Sequence, residues 1–166
     1  MKLQIGGFLD NSLVNGEGMR SVIFVSGCFH NCESCHNQVM QSFYYGDCVS
    51  IQNILLKIVK NIPIISGVTF SGGEPFESAL ALSKLSEGIR EQGLGIWCYS
   101  GYTFEEIIHS GDRDKLRLFK LIDVLIDGKF HEELQVGASK YTGSSNQRII
   151  DIQKSILKNQ VVLWNK

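Results

Sequence analysis

The chain has 166 residues, 43% of them hydrophobic and 20% charged, and its 16 basic and 17 acidic side chains leave a formal net charge of -1. That length supports one core of ordinary size and that composition excludes a disordered chain, so a single domain over residues 1–166 is expected. The charges are interleaved, which argues against nucleic-acid and membrane partners; no apolar run approaches the ~18 residues of a membrane span, and Met1–Gly7 lacks a signal-peptide pattern, so the expected location is cytoplasmic.

The first predicted strand runs from Met19 to Val25, where Val22, Ile23, Phe24 and Val25 form a short β-rich run. It delivers the chain to Ser26-Gly27-Cys28 and a loop that lasts to about Asn37. Ser50 reads as the N-cap of a helix whose apolar positions, Ile51, Ile54, Leu55, Ile58 and Val59, keep helical spacing until Asn61 and Pro63 end it. Gly67–Phe70 is a second strand, followed by Ser71-Gly72-Gly73-Glu74-Pro75 and a helix from about Glu77 to Gln92, with Gly93 as its stop. A third strand, Gly95–Tyr99, leads through Ser100-Gly101-Tyr102 into a capping box at Thr103 and Glu106. A helix over Lys115–Ile122, a strand over Val124–Ile126 and a polar loop over Ser139–Gln147 come next. The pattern then predicts a helix over Arg148–Lys158 and a strand over Val161–Trp164.

Alternating strands and helices predict an α/β fold with a mostly parallel sheet and right-handed crossovers. Roughly four to six strands are too few for an eight-stranded barrel, so the expectation is an open or partial (β/α) barrel, shorter than the full form. Folds of this kind place their sites at the carboxyl ends of strands, where the unusual residues of this chain fall.

Chief among these are Cys28, Cys32 and Cys35, three of five cysteines within one eight-residue stretch. Such spacing suits metal ligation better than a disulfide framework. Three thiolates can hold three irons of a four-iron cluster and leave the fourth iron open for chemistry. Cys98, inside an apolar strand, reads as a small buried hydrophobe, and Cys48 as a spare thiol. Two other uses of these residues are a zinc knot of Cys28, Cys32, Cys35 and His36, and an electron carrier with Cys48 as fourth ligand. Zinc sites are usually built from two separated ligand pairs, and the chain offers no second pair.

In Ser71–Pro75 the glycines let the backbone approach a ligand, and the Glu74 carboxylate can accept from an ammonium group. Ser100, at the end of the third strand, can bond a ligand through its hydroxyl or backbone, or serve as a turn residue.

The Cys28-x3-Cys32-x2-Cys35 loop, with Gly27 before it and Asn37 behind, resembles the cluster motif of the radical S-adenosylmethionine enzymes. Ser71–Pro75 resembles that superfamily's Gly-Gly-Glu-Pro loop. Asn15–Arg20, Asp123–Phe130 and Gly143–Arg148 narrow the resemblance to the family of anaerobic ribonucleoside-triphosphate reductase activases. This resemblance implies a [4Fe-4S] cluster on Cys28, Cys32 and Cys35, and S-adenosyl-L-methionine held by Ser34, Cys35, His36, Gly72, Gly73, Glu74 and Ser100. It implies reductive cleavage of that cofactor to a 5′-deoxyadenosyl radical, which takes a hydrogen atom from a glycine Cα in the large subunit of the reductase. A low-potential electron donor such as flavodoxin is implied as well, and no residue is needed as acid or base. The superfamily usually carries an aromatic residue where this chain has Ser34, so packing on the adenine passes to His36 or Phe29. In the related pyruvate formate-lyase activase an Asp-x-Lys pair lies near cofactor and substrate peptide, and Asp127 and Lys129 share its spacing. Activation of another glycyl-radical enzyme such as pyruvate formate-lyase, and a non-catalytic metal-binding or electron-transfer module, are the alternatives.

Overall fold

Residues 1–165 are described in the structure, a computed structural model. Four parallel strands form the centre of one sheet: β2 (Arg20–Val25), β4 (Gly67–Gly72), β5 (Gly95–Tyr99) and β6 (Val124–Asp127). Antiparallel strands flank them, β1 (Lys2–Ser12) and β3 (Asp47–Ser50) on one side and β7 (Arg148–Asp151) on the other. The order is β3-β1-β2-β4-β5-β6-β7, a seven-stranded sheet that is not closed into a barrel.

Side-chain alternation along the central strands explains why they read as continuous apolar runs. Val68 and Phe70 of β4, Ile96 and Cys98 of β5 and Leu125 of β6 face the main core. There they meet Ile54 and Ile58 of α1 (Ile51–Lys60), Leu82, Leu85 and Ile89 of α2 (Ala79–Glu91), and Leu118 and Phe119 of α4 (Arg113–Leu121). Trp97, Val124 and Ile126 point the other way, into a smaller cluster with Tyr99, Tyr141, Ile149 and Trp164. Both faces are covered, so alternation of polar and apolar residues is lost. Each fully buried Leu, Ile or Phe contributes about 1.5–3 kcal/mol to the core.

Several helix ends follow local rules. Ser50 accepts from Asn53 N at the start of α1, and Thr103 and Glu106 close a capping box on α3 (Phe104–Ile108). Asp112 accepts from the backbone of Asp114 and Lys115, so α4 starts two residues before the predicted Lys115. A 3₁₀ turn over Pro75–Ser78 precedes α2.

Three expectations are corrected. The sheet has seven strands rather than four to six, because β1 and β3 have no strong local signal. Gly6 and Gly7 interrupt the β1 pattern; a register shift lies between Ile5 and Gly7, and a Cβ on Gly6 would come 2.9 Å from Met40 Cγ. Arg148–Lys158 is not one helix. Its first half pairs with β6 as β7, and only Ile152–Lys158 forms α5, capped by Asp151 accepting from Lys154 N. Val161–Trp164 contributes a single bridge, Leu163 to Ile150. No helix among the described residues is long and apolar enough to cross a membrane.

Candidate metal and cofactor site

Strands β2, β4, β5 and β6 all end at one cavity of about 350 Å³. Its lining includes Cys28, Cys32, Cys35, His36, Gly72, Gly73 and Ser100 from the residues predicted above, together with His30, Tyr99, Phe130, Tyr141 and Gln147. Among the described residues no Asp, Glu, Lys or Arg lines it.

The cysteine loop leaves β2 at Gly27, whose φ of +104° belongs to glycine. Asn31 and Ser34 also take positive φ, 48° and 58°, so the chain coils tightly enough to present all three thiols to the same cavity. Backbone N–H groups of His30 and Asn37 point at the sulfurs of Cys28 and Cys35, each at 3.4 Å. Burial pushes the Cys28 thiol up to about 11 and also raises Cys32, where nearby Cys35 adds to the effect. A bound cation reverses that preference, since ligating thiols are deprotonated outright.

The loop after β4 is pressed against this one. Gly73 N donates to Val25 O and Glu74 N to Gly27 O, both at 2.8 Å. A Cβ on Gly73 would lie 2.6 Å from Gly27 O, and one on Gly72 2.4 Å from Val25 O. Only glycine permits that approach of two backbones beside the thiols.

Two predicted residues do not reach the cavity lining. Ser34 turns outward, its hydroxyl donating to Glu132 Oε2 at 2.5 Å. Glu74 is fully buried and accepts from Phe76 N, Ser100 Oγ, Gly101 N and His30 Nε2 at 2.8–3.0 Å. Its carboxylate is therefore occupied by the protein, and the Ser100 hydroxyl is spent on it. Phe29 is 72% exposed and packs on Phe43 outside the cavity, whereas His36 packs against Phe130 within it, ring centres 4.3 Å apart and planes tilted by 45°.

Asp127 and Lys129 do not pair with each other. Asp127 is buried against Arg148 and the N–H of Phe104, and both it and Lys129 border a neighbouring polar cleft rather than the thiol cavity. Cys48 lies exposed on β3 opposite Gln4, and Cys98 is buried on β5 with its thiol pushed well up by burial. Neither borders the cavity, so Cys48 is not placed as a fourth ligand.

The long β6–β7 connection supplies the aromatic wall that sequence reasoning missed. Tyr99 OH donates to Tyr141 O and Tyr141 OH to Glu17 Oε2, both at 2.7 Å, while Gln147 bonds Gly128 O and Gly143 N. This draws Asn15, Gly128, Phe130, Gly143 and Gln147 to the same rim. The available signal was a Gly128-initiated loop at a strand's carboxyl end.

Arg20 ends up structural. It is 3% exposed, lies 5.4 Å from the Trp97 ring centre, and donates to Thr69 Oγ1, Val68 O, Gly95 O and Glu17 O at 2.7–3.1 Å, tying β2 to β4 and β5. Burial pushes its guanidinium down to about 10.

Residues 14–150 match the family described as a 4Fe-4S single cluster domain. The anaerobic ribonucleoside-triphosphate reductase-activating protein of Haemophilus influenzae is 34% identical over 149 residues, covering 86% of this chain and 94% of its own. That of Enterobacteria phage T4 is 32% identical, covering 82% and 86%, and that of Escherichia coli K12 32% identical, covering 81% and 90%. The chain belongs to this activating-protein family.

Its lining fits the iron–sulfur group that the family description names. Three thiols converge with no carboxylate among them, a donor set suited to iron–sulfur chemistry rather than to hard oxygen-seeking cations. Among the described residues no group of three or more His, Cys, Asp or Glu is gathered closely around a point where a single metal ion could sit. In a four-iron cluster each thiolate takes a different iron.

Proposed function

We propose that this chain is a radical S-adenosylmethionine oxidoreductase that installs a glycyl radical on the large subunit of anaerobic ribonucleoside-triphosphate reductase. The observation that carries the reading is the meeting of three thiols, the Gly72–Gly73 cradle and an aromatic wall around one cavity at the strand ends. Cys28, Cys32 and Cys35 hold the [4Fe-4S] cluster, and Cys35, His36, Gly72, Gly73 and Ser100 lie where S-adenosylmethionine binds. Ser34 and Glu74 support that site from behind the lining. Bound there, cluster and cofactor supply one-electron cleavage of a carbon–sulfur bond and a carbon-centred oxidant strong enough to take a hydrogen atom from a glycine Cα.

The chain's own residues position and shield. Gly72 and Gly73 bring backbone polar groups to the ligand without a Cβ in the way. His36 and Phe130 offer ring faces to a nucleobase, the part for which Ser34 is too small. Tyr99, Tyr141 and Gln147 limit water on the far side.

One domain over residues 1–166, a cytoplasmic setting and a flavodoxin-like electron donor complete the reading. Anaerobic reconstitution with iron and sulfide, followed by reduction, tests it. Consumption of S-adenosylmethionine, formation of 5′-deoxyadenosine and a glycyl radical signal on the reductase subunit are expected. Iron uptake with no cleavage of the cofactor would support an electron-transfer module instead.

A further inference from the structure

Resting on the cluster reading above, we propose that His30 is a positioning residue that locks the cysteine loop to the cofactor cradle through Glu74. The starting observation is the environment of Glu74, a fully buried carboxylate outside the lining of the thiol cavity. Its Oε1 accepts from Phe76 N at 3.0 Å and Ser100 Oγ at 2.9 Å; its Oε2 accepts from Gly101 N and His30 Nε2, both at 2.8 Å. These donors come from three places: the start of the turn before α2, the carboxyl end of β5, and the loop between Cys28 and Cys32.

His30 is the member that reaches in from between two thiols. Both Glu74 oxygens already accept a backbone N–H, so the hydrogen of this bond is assigned to His30 Nε2. The ring is held on its other sides as well. Its centre lies 4.3 Å from that of Tyr102 in an edge-on contact, and Gly101 leaves the room it fills, because a Cβ there would come 2.5 Å from His30 Cδ2. The same residue's backbone N–H points at Cys28 Sγ at 3.4 Å. One imidazole therefore sets the direction of an N–H group aimed at a ligating sulfur while anchoring the loop to both cradle strands. Hydrogen bonds to cluster sulfurs are among the protein's levers on reduction potential, and outer partners of ligands tune affinity and orientation. Loss of the ring is expected to leave all three thiols in place and yet separate the geometry of the cluster loop from that of the cradle.

The test uses the full chain with His30→Ala and His30→Gln, the amide of which keeps a donor for Glu74. Hydrogen exchange on the cofactor-free protein is the first readout. In His30→Ala protection is expected to fall by ~10-fold both in residues 28–36 and in residues 99–103, with most of it restored in His30→Gln. The second readout is the iron-loaded protein. Iron content near that of the parent is expected, with a shifted midpoint potential and a weakened change in the reduced cluster's EPR signal on adding S-adenosylmethionine; His30→Gln again recovers toward the parent. A merely structural role lowers folded fraction and iron content together and leaves the potential of the loaded fraction unmoved. Loosening confined to residues 28–36, or an unaltered potential and EPR response at full iron content, would overturn the proposal. If His30→Ala does not fold, His30→Asn, too short to reach Glu74, takes its place. A parent protein whose cluster ignores S-adenosylmethionine sinks the reading of the cofactor, while the exchange experiment still decides the role of His30.

Discussion

Asp127 and Arg148 face each other across the β6–β7 pair, with Nε 3.0 Å from Oδ1 and Nη2 2.5 Å from Oδ2. The same carboxylate accepts from Phe104 N at 2.8 Å, so one buried group holds both β7 and the start of α3. Arg148 is partly exposed and keeps Glu105 as a partner, so Asp127→Ala chiefly strands the buried Phe104 N–H and is expected to cost about 1–3 kcal/mol. Lys129→Ala, at an exposed position, is expected to stay within ~0.5 kcal/mol. Urea unfolding of the two variants checks the contrast; an Asp127→Ala midpoint equal to the parent's contradicts it.

Arg20 is a second keystone. Replacement by Met keeps the volume and strands the carbonyls of Val68 and Gly95 without their donor, at an expected cost of about 3 kcal/mol. Gly67→Ala should be similarly damaging, because its Cβ would sit 2.5 Å from both Arg20 Nη2 and Gly95 O. Thermal unfolding should show both as lowered Tm values, and a parent-like Tm in either counts against the clamp.

Gly73→Ala puts a methyl group 2.6 Å from Gly27 O and 2.7 Å from Met40 O, so the two loops must part. The expected result is retained iron binding with cofactor cleavage lowered by ~100-fold, since misplacement by about 1 Å costs that much. Assays of iron and of 5′-deoxyadenosine on one preparation separate the effects. Normal cleavage would show that the close approach is dispensable.

Cys28→Ala, Cys32→Ala and Cys35→Ala are each expected to lose the visible absorption of the reconstituted cluster. Cys48→Ala and Cys98→Ala should keep it, because neither thiol borders the cavity. Iron and sulfide analysis after anaerobic desalting is the measurement. Loss of the chromophore in Cys48→Ala would reinstate that residue as a ligand.

Glu105, on α3, is held below its ordinary 4.5, first by its hydrogen bond to Arg148. A depressed folded-state pKa contributes stability that is present above 4.5 and lost as pH falls through the folded value. At this exposed site the contribution stays under ~1 kcal/mol. Parent and Glu105→Gln should therefore differ in stability at pH 6 and converge as the pH drops below 4. Equal stability at both pH values would show that the pair adds nothing.

Local sequence determined much of this protein. The three thiols, the Gly72–Gly73 turn, the Ser50 and Thr103 caps and the central strands all follow from short-range rules, in which a few neighbouring residues suffice to state the chemistry or the backbone need. What lay beyond reach depended on partners distant in the chain. Ile149 and Ile150 can join a helix or a strand, and only the free edge of β6 decides for β7. Lys2–Ser12 becomes a strand because β2 and β3 lie on either side of it. Glu74 and Asp127 illustrate the same limit at the site: sequence marks each as a carboxylate at a strand end, and tertiary structure turns one toward His30 and the other toward Arg148. A buried charge goes to whichever donors the fold brings within about 3 Å, and contacts across 44 and 21 residues of sequence have no local signature.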